Sequence, residues 1–110
     1  GLAVSNLAMM YVDGKGVRKN HKKARELLLK AVQLREMNAF ANMGYLYRNG
    51  FGVKASYVTS YMWYILSVKA GYTEAAETVA WLERRLSKNN LKRARTMAER
   101  CLKSSYNNCN

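Results

Sequence analysis

The groups through which this chain could do chemistry are two cysteines, one histidine and seven carboxylates, and their spacing argues against catalysis. The histidine, His21, stands in Lys19-Asn20-His21-Lys22-Lys23, where neighbouring positive charge disfavours a metal cation. No second histidine or acid lies at ligand spacing from it, so it reads as a solvated residue at a helix start. The acids Asp13, Glu26, Glu36, Glu74, Glu77, Glu83 and Glu99 are scattered. The close pair Glu74 and Glu77 lies one helical turn apart at a helix start, where the helix dipole alone accounts for acids. No phosphate-binding loop or nucleophile elbow appears, and Gly14-Lys15-Gly16 reads as a tight turn rather than a phosphate cradle. No catalytic residue, metal site or cofactor is expected.

Cys101 and Cys109 are eight residues apart. A helix running through both would hold their Cα atoms ~12 Å apart, beyond the roughly 4.4 to 6.8 Å that a disulfide spans. The intervening Ser104-Ser105-Tyr106-Asn107-Asn108 is turn-prone and can fold the chain back. A bridge that staples the terminus is one reading. A buried Cys101 beside a free Cys109 is the other.

Whatever positions these groups must be a single folded unit. The chain has 110 residues and a formal charge of +12, from 19 Lys+Arg against 7 Asp+Glu. A hydrophobic content of 49% supports a core and argues against disorder. Proline is absent, and helix-favouring residues dominate. No apolar run approaches the ~18 to 20 residues needed to span a bilayer. The opening Gly1-Leu2-Ala3-Val4-Ser5-Asn6 shows no initiator methionine and no leader pattern, so any export signal is expected outside these residues.

The strongest signal is an internal repeat. Residues 3–17 align with residues 39–53 at an offset of 36, with identities at Ala3/Ala39, Asn6/Asn42, Tyr11/Tyr47, Gly14/Gly50, Gly16/Gly52 and Val17/Val53. A partial third copy starts at Ala75 without the Gly-x-Gly-Val turn. Each unit reads as two helices. Ala39, Met43, Leu46 and Tyr47 form one apolar face, and the small Ala39 and Gly44 admit a close neighbour. Gly50-Phe51-Gly52 ends that helix, with one glycine in a left-handed cap. The following helix begins at Ser56 and turns Tyr57, Tyr61, Tyr64, Ile65 and Val68 inward. Its counterpart runs from about Asn20 to Leu34, with Ala24, Leu27, Leu28 and Ala31 facing in. Ser87 caps a last helix with Leu91, Ala94, Met97, Ala98, Cys101 and Leu102 on one face and Lys92, Arg93, Arg95, Arg100 and Lys103 on the rest. Such a polar-faced final helix closes the exposed end of a repeat array. The start shows no comparable cap, so further repeats are expected before Gly1.

These motifs resemble the Sel-one-like repeat family, α-solenoids related to tetratricopeptide repeats. The best copy is Ala39, Met43-Gly44-Tyr45-Leu46-Tyr47, Gly50-Phe51-Gly52-Val53, Tyr61-Met62-Trp63-Tyr64 and Ala70-Gly71. The first copy departs with Ala8 in place of the glycine and a glycine-free turn after Leu34. The resemblance covers roughly residues 1 to 82, and the tail from Leu82 to Cys109 resembles the closing helix of exported bacterial members, which often end in a similar cysteine-containing tail. It implies an all-α solenoid of antiparallel helix pairs, with repeats over 1–36 and 37–72 and a partial third repeat plus capping helix over 73–110. It also implies a protein-interaction role and, with a disulfide, a periplasmic or secreted location.

In this family the first helix of each unit lines the concave side. Its outward columns here are Asn6/Asn42/Thr78, Met9/Tyr45/Trp81 and Val12/Arg48/Arg84, each spaced by 36. Met9, Tyr45 and Trp81 would then line the groove, and Tyr, Trp and Arg dominate binding hot spots. The expected partner site is Asn6, Met9, Asn42, Tyr45, Arg48, Thr78, Trp81 and Arg84. The competing reading packs Trp81 beneath the last helix. Positive charge clusters over Arg18–Arg35 and Arg84–Lys103, a field that suits an acidic protein partner such as a secreted effector, a toxin or an envelope component. Nucleic-acid binding is disfavoured because Tyr11, Tyr47, Tyr57, Tyr61, Trp63 and Tyr64 fall on core positions rather than among the basic residues. The expected function is a non-enzymatic interaction module of a bacterial envelope or secreted repeat protein, such as an immunity protein or an inhibitor of a secreted effector. The alternative is an envelope scaffold or a basic binder of nucleic acid or another anionic polymer.

Overall fold

A computed structural model describes the backbone of residues 2–109 and the side chains of residues 4–109. Gly1, Asn110 and the side chains of Leu2 and Ala3, the latter the repeat partner of Ala39, lie outside that description. Among the described residues six α-helices follow in order: α1 Leu2–Asp13, α2 His21–Gln33, α3 Met37–Asn49, α4 Tyr57–Lys69, α5 Ala76–Glu83 and α6 Lys88–Lys103. A single 3-10 turn, Thr73–Ala75, leads into α5, and the described residues contain no strand.

The helix ends are set locally. Asn20, Ser56 and Ser87 each accept a hydrogen bond from a backbone N–H three residues on, capping α2, α4 and α6. The 36-residue offset recurs in the backbone: Asn20 N–H donates to Tyr11 O at 2.9 Å, and Ser56 N–H donates to Tyr47 O at 2.9 Å. Gly50 ends α3 with φ of +72°. Gly52, at φ of +76°, has a second reason to be glycine, because a Cβ there would lie 2.9 Å from His21 O of the preceding unit. Where the second unit turns on Gly71, the first turns on Arg35 with φ of 61°. The Arg35 guanidinium donates to Val32 O at 3.3 Å and Gln33 O at 3.1 Å, which helps to hold that unfavourable conformation.

The helices pair in chain order, α1 with α2 and α3 with α4, and α6 packs along α4. Gly44 explains how closely α3 and α4 approach, since a Cβ there would sit 2.7 Å from two carbons of the Tyr64 ring. One repeat earlier the pair is Ala8 and Leu28, both fully buried, so the smaller partner leaves room for the methyl group. Ser60 Oγ donates to Gly44 O at 2.8 Å across the same contact.

Two expectations fail on α4 and α1. Tyr57, the first residue of α4, is 40% exposed, while Met62, Trp63 and Leu66 are buried along with Tyr61 and Tyr64. The added burial comes from α6: α4 is covered by α3 on one side and α6 on another, so it buries far more than one face. Val12 does not share the outward column of Arg48 and Arg84. It is 4% exposed, inside the core cluster against which Phe51 packs.

The closing helix is anchored at its middle and at its end. Midway along it, Tyr61 Oη donates to Glu83 Oε2 at 2.8 Å, and Arg95 donates to Tyr61 Oη at 3.4 Å, tying α4, α5 and α6 together. At its end the chain reverses through Ser105 and Tyr106, both at positive φ, and Cys101 and Cys109 are disulfide-bonded with Cα atoms 4.3 Å apart. Tyr106 packs against Phe40 at 5.1 Å between ring centroids, its carbonyl accepts from Gln33 Nε2 at 3.0 Å, and the Arg35 guanidinium lies 4.4 Å from its ring centroid. The tail thus reaches back to the junction of the first two units.

Candidate partner-binding groove

Each of α1, α3 and α5 contributes one stripe to a groove made of two adjoining hollows. Helical spacing puts Met9 of α1 and Asn42 and Tyr45 of α3 on the same side. With Thr78 of α5 they line the first hollow, of ≈ 320 Å³. Its remaining walls include Asp13, Glu74 and the rings of Tyr64 and Tyr72. Arg48, Glu77, Thr78, Trp81 and Arg84 line the second hollow, of ≈ 400 Å³. Thr78 is the wall between them. Asn6 is exposed but lines neither hollow.

Tyr45 is 38% exposed, leaning on Phe51 at 5.8 Å between ring centroids, while Tyr47, two residues on, packs half-buried against the core. Trp81 is half-buried, with the guanidiniums of Arg48 and Arg85 over its ring at 4.3 Å and 3.5 Å from the centroid. Tyr57, at the start of α4, meets it edge-on at 5.6 Å. Trp81 therefore has arginines over its ring while its remaining surface packs on the second core cluster.

Two phenols line the first hollow, Tyr64 buried and Tyr72 half-buried. Tyr64 is held above the ordinary tyrosine range by burial, opposed by the nearby Arg48 charge. Tyr72 is raised by burial and then by the adjacent Glu74 carboxylate. Both hydroxyls consequently stay neutral throughout the physiological range.

Sequence reasoning missed Asp13, Tyr64, Tyr72, Glu74 and Glu77 as groove residues, and Tyr57 and Arg85 as neighbours of Trp81. Tyr72 and Glu74 sit in the inter-unit turn, outside the first-helix columns. Arg85 follows Arg84 directly, and its proximity to Trp81 was accessible from the i, i+4 spacing. His21 takes a packing role, with Nε2 3.2 Å from Val12 O and its ring 4.8 Å from that of Phe51. No helix is long and apolar enough to cross a membrane among the described residues.

The fold has a clear structural relative. A protective antigen present in uropathogenic Escherichia coli strains, described as displaying an SLR fold, superposes with a TM-score of 0.85 at 23% identity. The match covers 94% of this chain and 23% of that protein, so the chain spans about a quarter of its relative's length. None of the curated proteins matches this chain. The Sel1 repeat profile matches residues 1–35 and 39–72, well over half of the sequence, and such repeats generally mediate protein–protein interaction. The chain belongs to the Sel1 repeat family.

Proposed function

We propose that this chain is a non-enzymatic protein-interaction module of a bacterial envelope or secreted protein, and that its partner lies along the α1–α3–α5 groove. The observation that carries this reading is the Trp81 cluster, a half-buried aromatic with two guanidiniums over its ring and Arg84 beside it. Tyr, Trp and Arg gathered in a hollow are the residues that dominate binding energy in protein interfaces. Arg48, Arg84 and Arg85 suit carboxylates on an acidic stretch of the partner, for which guanidinium geometry is adapted. The disulfide favours an oxidising compartment, periplasmic or extracellular. An immunity protein or inhibitor of a secreted effector fits this description, as does an envelope scaffold.

The second reading, an anionic-polymer binder, draws on the α6 face, where Lys92, Arg93 and Arg100 line a hollow of ≈ 590 Å³. No aromatic side chain lines that hollow to stack a base. The test compares both surfaces against a partner isolated from the source organism's envelope. Trp81→Ala and Tyr45→Ala should each weaken binding by at least ~1 kcal/mol, while Lys92→Ala with Arg93→Ala should leave it nearly unchanged. The reverse pattern, or retention of the chain on heparin well past moderate salt, would transfer the function to the basic helix.

A further inference from the structure

We propose that the first hollow of the groove is a receptor for one cationic side chain, a lysine or arginine of the partner protein. The inference rests on the groove being the partner site and specifies what one end of it reads. In a chain with 19 Lys+Arg against 7 Asp+Glu, this hollow is lined by two carboxylates, Asp13 and Glu74, and by no lysine or arginine. Three tyrosine rings share it, Tyr45, Tyr64 and Tyr72. Aromatic faces attract a cation through the ring quadrupole, and a carboxylate beside them adds the opposite charge.

The walls differ in how firmly they are held. Tyr64 is buried and fits against Gly44 so closely that a Cβ there would meet its ring carbons at 2.7 Å. Tyr45 leans on Phe51 and stays accessible at the rim. Tyr72 is half-buried beside Glu74. Asn42 and Thr78 line the same space and carry neutral oxygen acceptors that suit an ammonium or guanidinium donor. Arg48 is the positive charge that reaches Tyr64 from outside this hollow, its guanidinium lying over Trp81 and lining the adjoining hollow. At ≈ 320 Å³ the space is near the lower end of the roughly 300 to 1,000 Å³ range of ligand pockets, which suits one side chain rather than a cofactor.

The groove is then bipolar, with carboxylates at the Asp13–Glu74 end and arginines at the Trp81 end. A partner segment would lie in it in one direction, its basic residue towards α1 and its acidic residues towards Arg48 and Arg84.

The test uses the full chain and blocked tripeptides, Gly-Lys-Gly and Gly-Arg-Gly against Gly-Gln-Gly and Gly-Glu-Gly, followed by amide chemical shifts. The cationic peptides should produce saturable shifts at Asp13, Asn42, Tyr45 and Glu74, with millimolar affinity. The combined Asp13→Asn and Glu74→Gln variant, isosteric at two exposed positions, should bind them about tenfold more weakly. Equal response to the glutamine peptide, unchanged affinity in the carboxamide variant, or shifts clustered elsewhere would each overturn the proposal. A partner weakened by Trp81→Ala but indifferent to the carboxamide variant would also overturn it while leaving the groove intact as the binding site. A partner that ignores every groove variant, even beside a lysine peptide that fills the hollow, would overturn both the proposal and the groove as the partner site.

Discussion

The groove and the exposed face of α6 divide the molecule's charge unequally. Around the groove Asp13, Glu74 and Glu77 stand against Arg48, Arg84 and Arg85, so the two signs balance. On α6 Lys88, Lys92, Arg93, Arg95, Arg100 and Lys103 face a lone acid, Glu99. The aromatic side chains follow the first region and avoid the second. Under the proposed reading, net charge steers a partner and the aromatic groove holds it. A formal charge of +12 says little about the chemistry of the groove itself.

The largest expected effect tests whether both regions share one scaffold. Trp63 is buried on α4, in a core cluster that draws residues from α1 through α4 and from α6. Trp63→Ala should cost about 3 to 5 kcal/mol and lower the melting temperature of the whole chain in a single transition. Two separated transitions would mean that the groove and the closing helix are independent units.

Next comes the pair on α3. Tyr47→Ala should destabilise by about 2 kcal/mol, the low end for a large core deletion, because its ring is half-buried. Tyr45→Ala should stay within ~1 kcal/mol of the parent in a melt. Equal losses for the two would erase the distinction between packing and groove faces of that helix.

Local signals along the chain are enough to anticipate much of this architecture. The caps Asn20, Ser56 and Ser87, the left-handed Gly50 and the small Gly44 all act over a few residues, and each has the role its residue type suggests. What escaped depends on long-range contacts. Met62, Trp63 and Leu66 are buried because α6 covers another flank of α4, and nothing within Tyr57–Lys69 encodes that. Val12 is buried because Phe51 of the next unit packs on its cluster. In the groove, the repeat register aligned Met9, Tyr45 and Trp81, but Tyr72 and Glu74 enter from a turn that carries no such register.

A comparable effect concerns the tail. Removing the disulfide that closes the short Cys101–Cys109 loop should cost about 2 to 3 kcal/mol by chain entropy, and native-state proteolysis should then cut mainly after Ser104. Two freely alkylatable thiols in the untreated protein would remove the staple and the argument for an oxidising compartment. The smallest effect belongs to α6. Lys92→Ala with Arg93→Ala should change partner affinity by less than ~0.5 kcal/mol while slowing association at low salt, as rim charges do. A large rise in dissociation rate would make that face part of the contact.

Amide hydrogen exchange of the chain with and without its partner tests the central claim most directly. The account predicts new protection along α1, α3 and α5, concentrated at Met9, Asn42–Arg48 and Thr78–Arg85, with α6 unchanged from Lys88 to Lys103. Protection confined to α6 and the outer residues of α2, with α1, α3 and α5 exchanging as in the free chain, would contradict it.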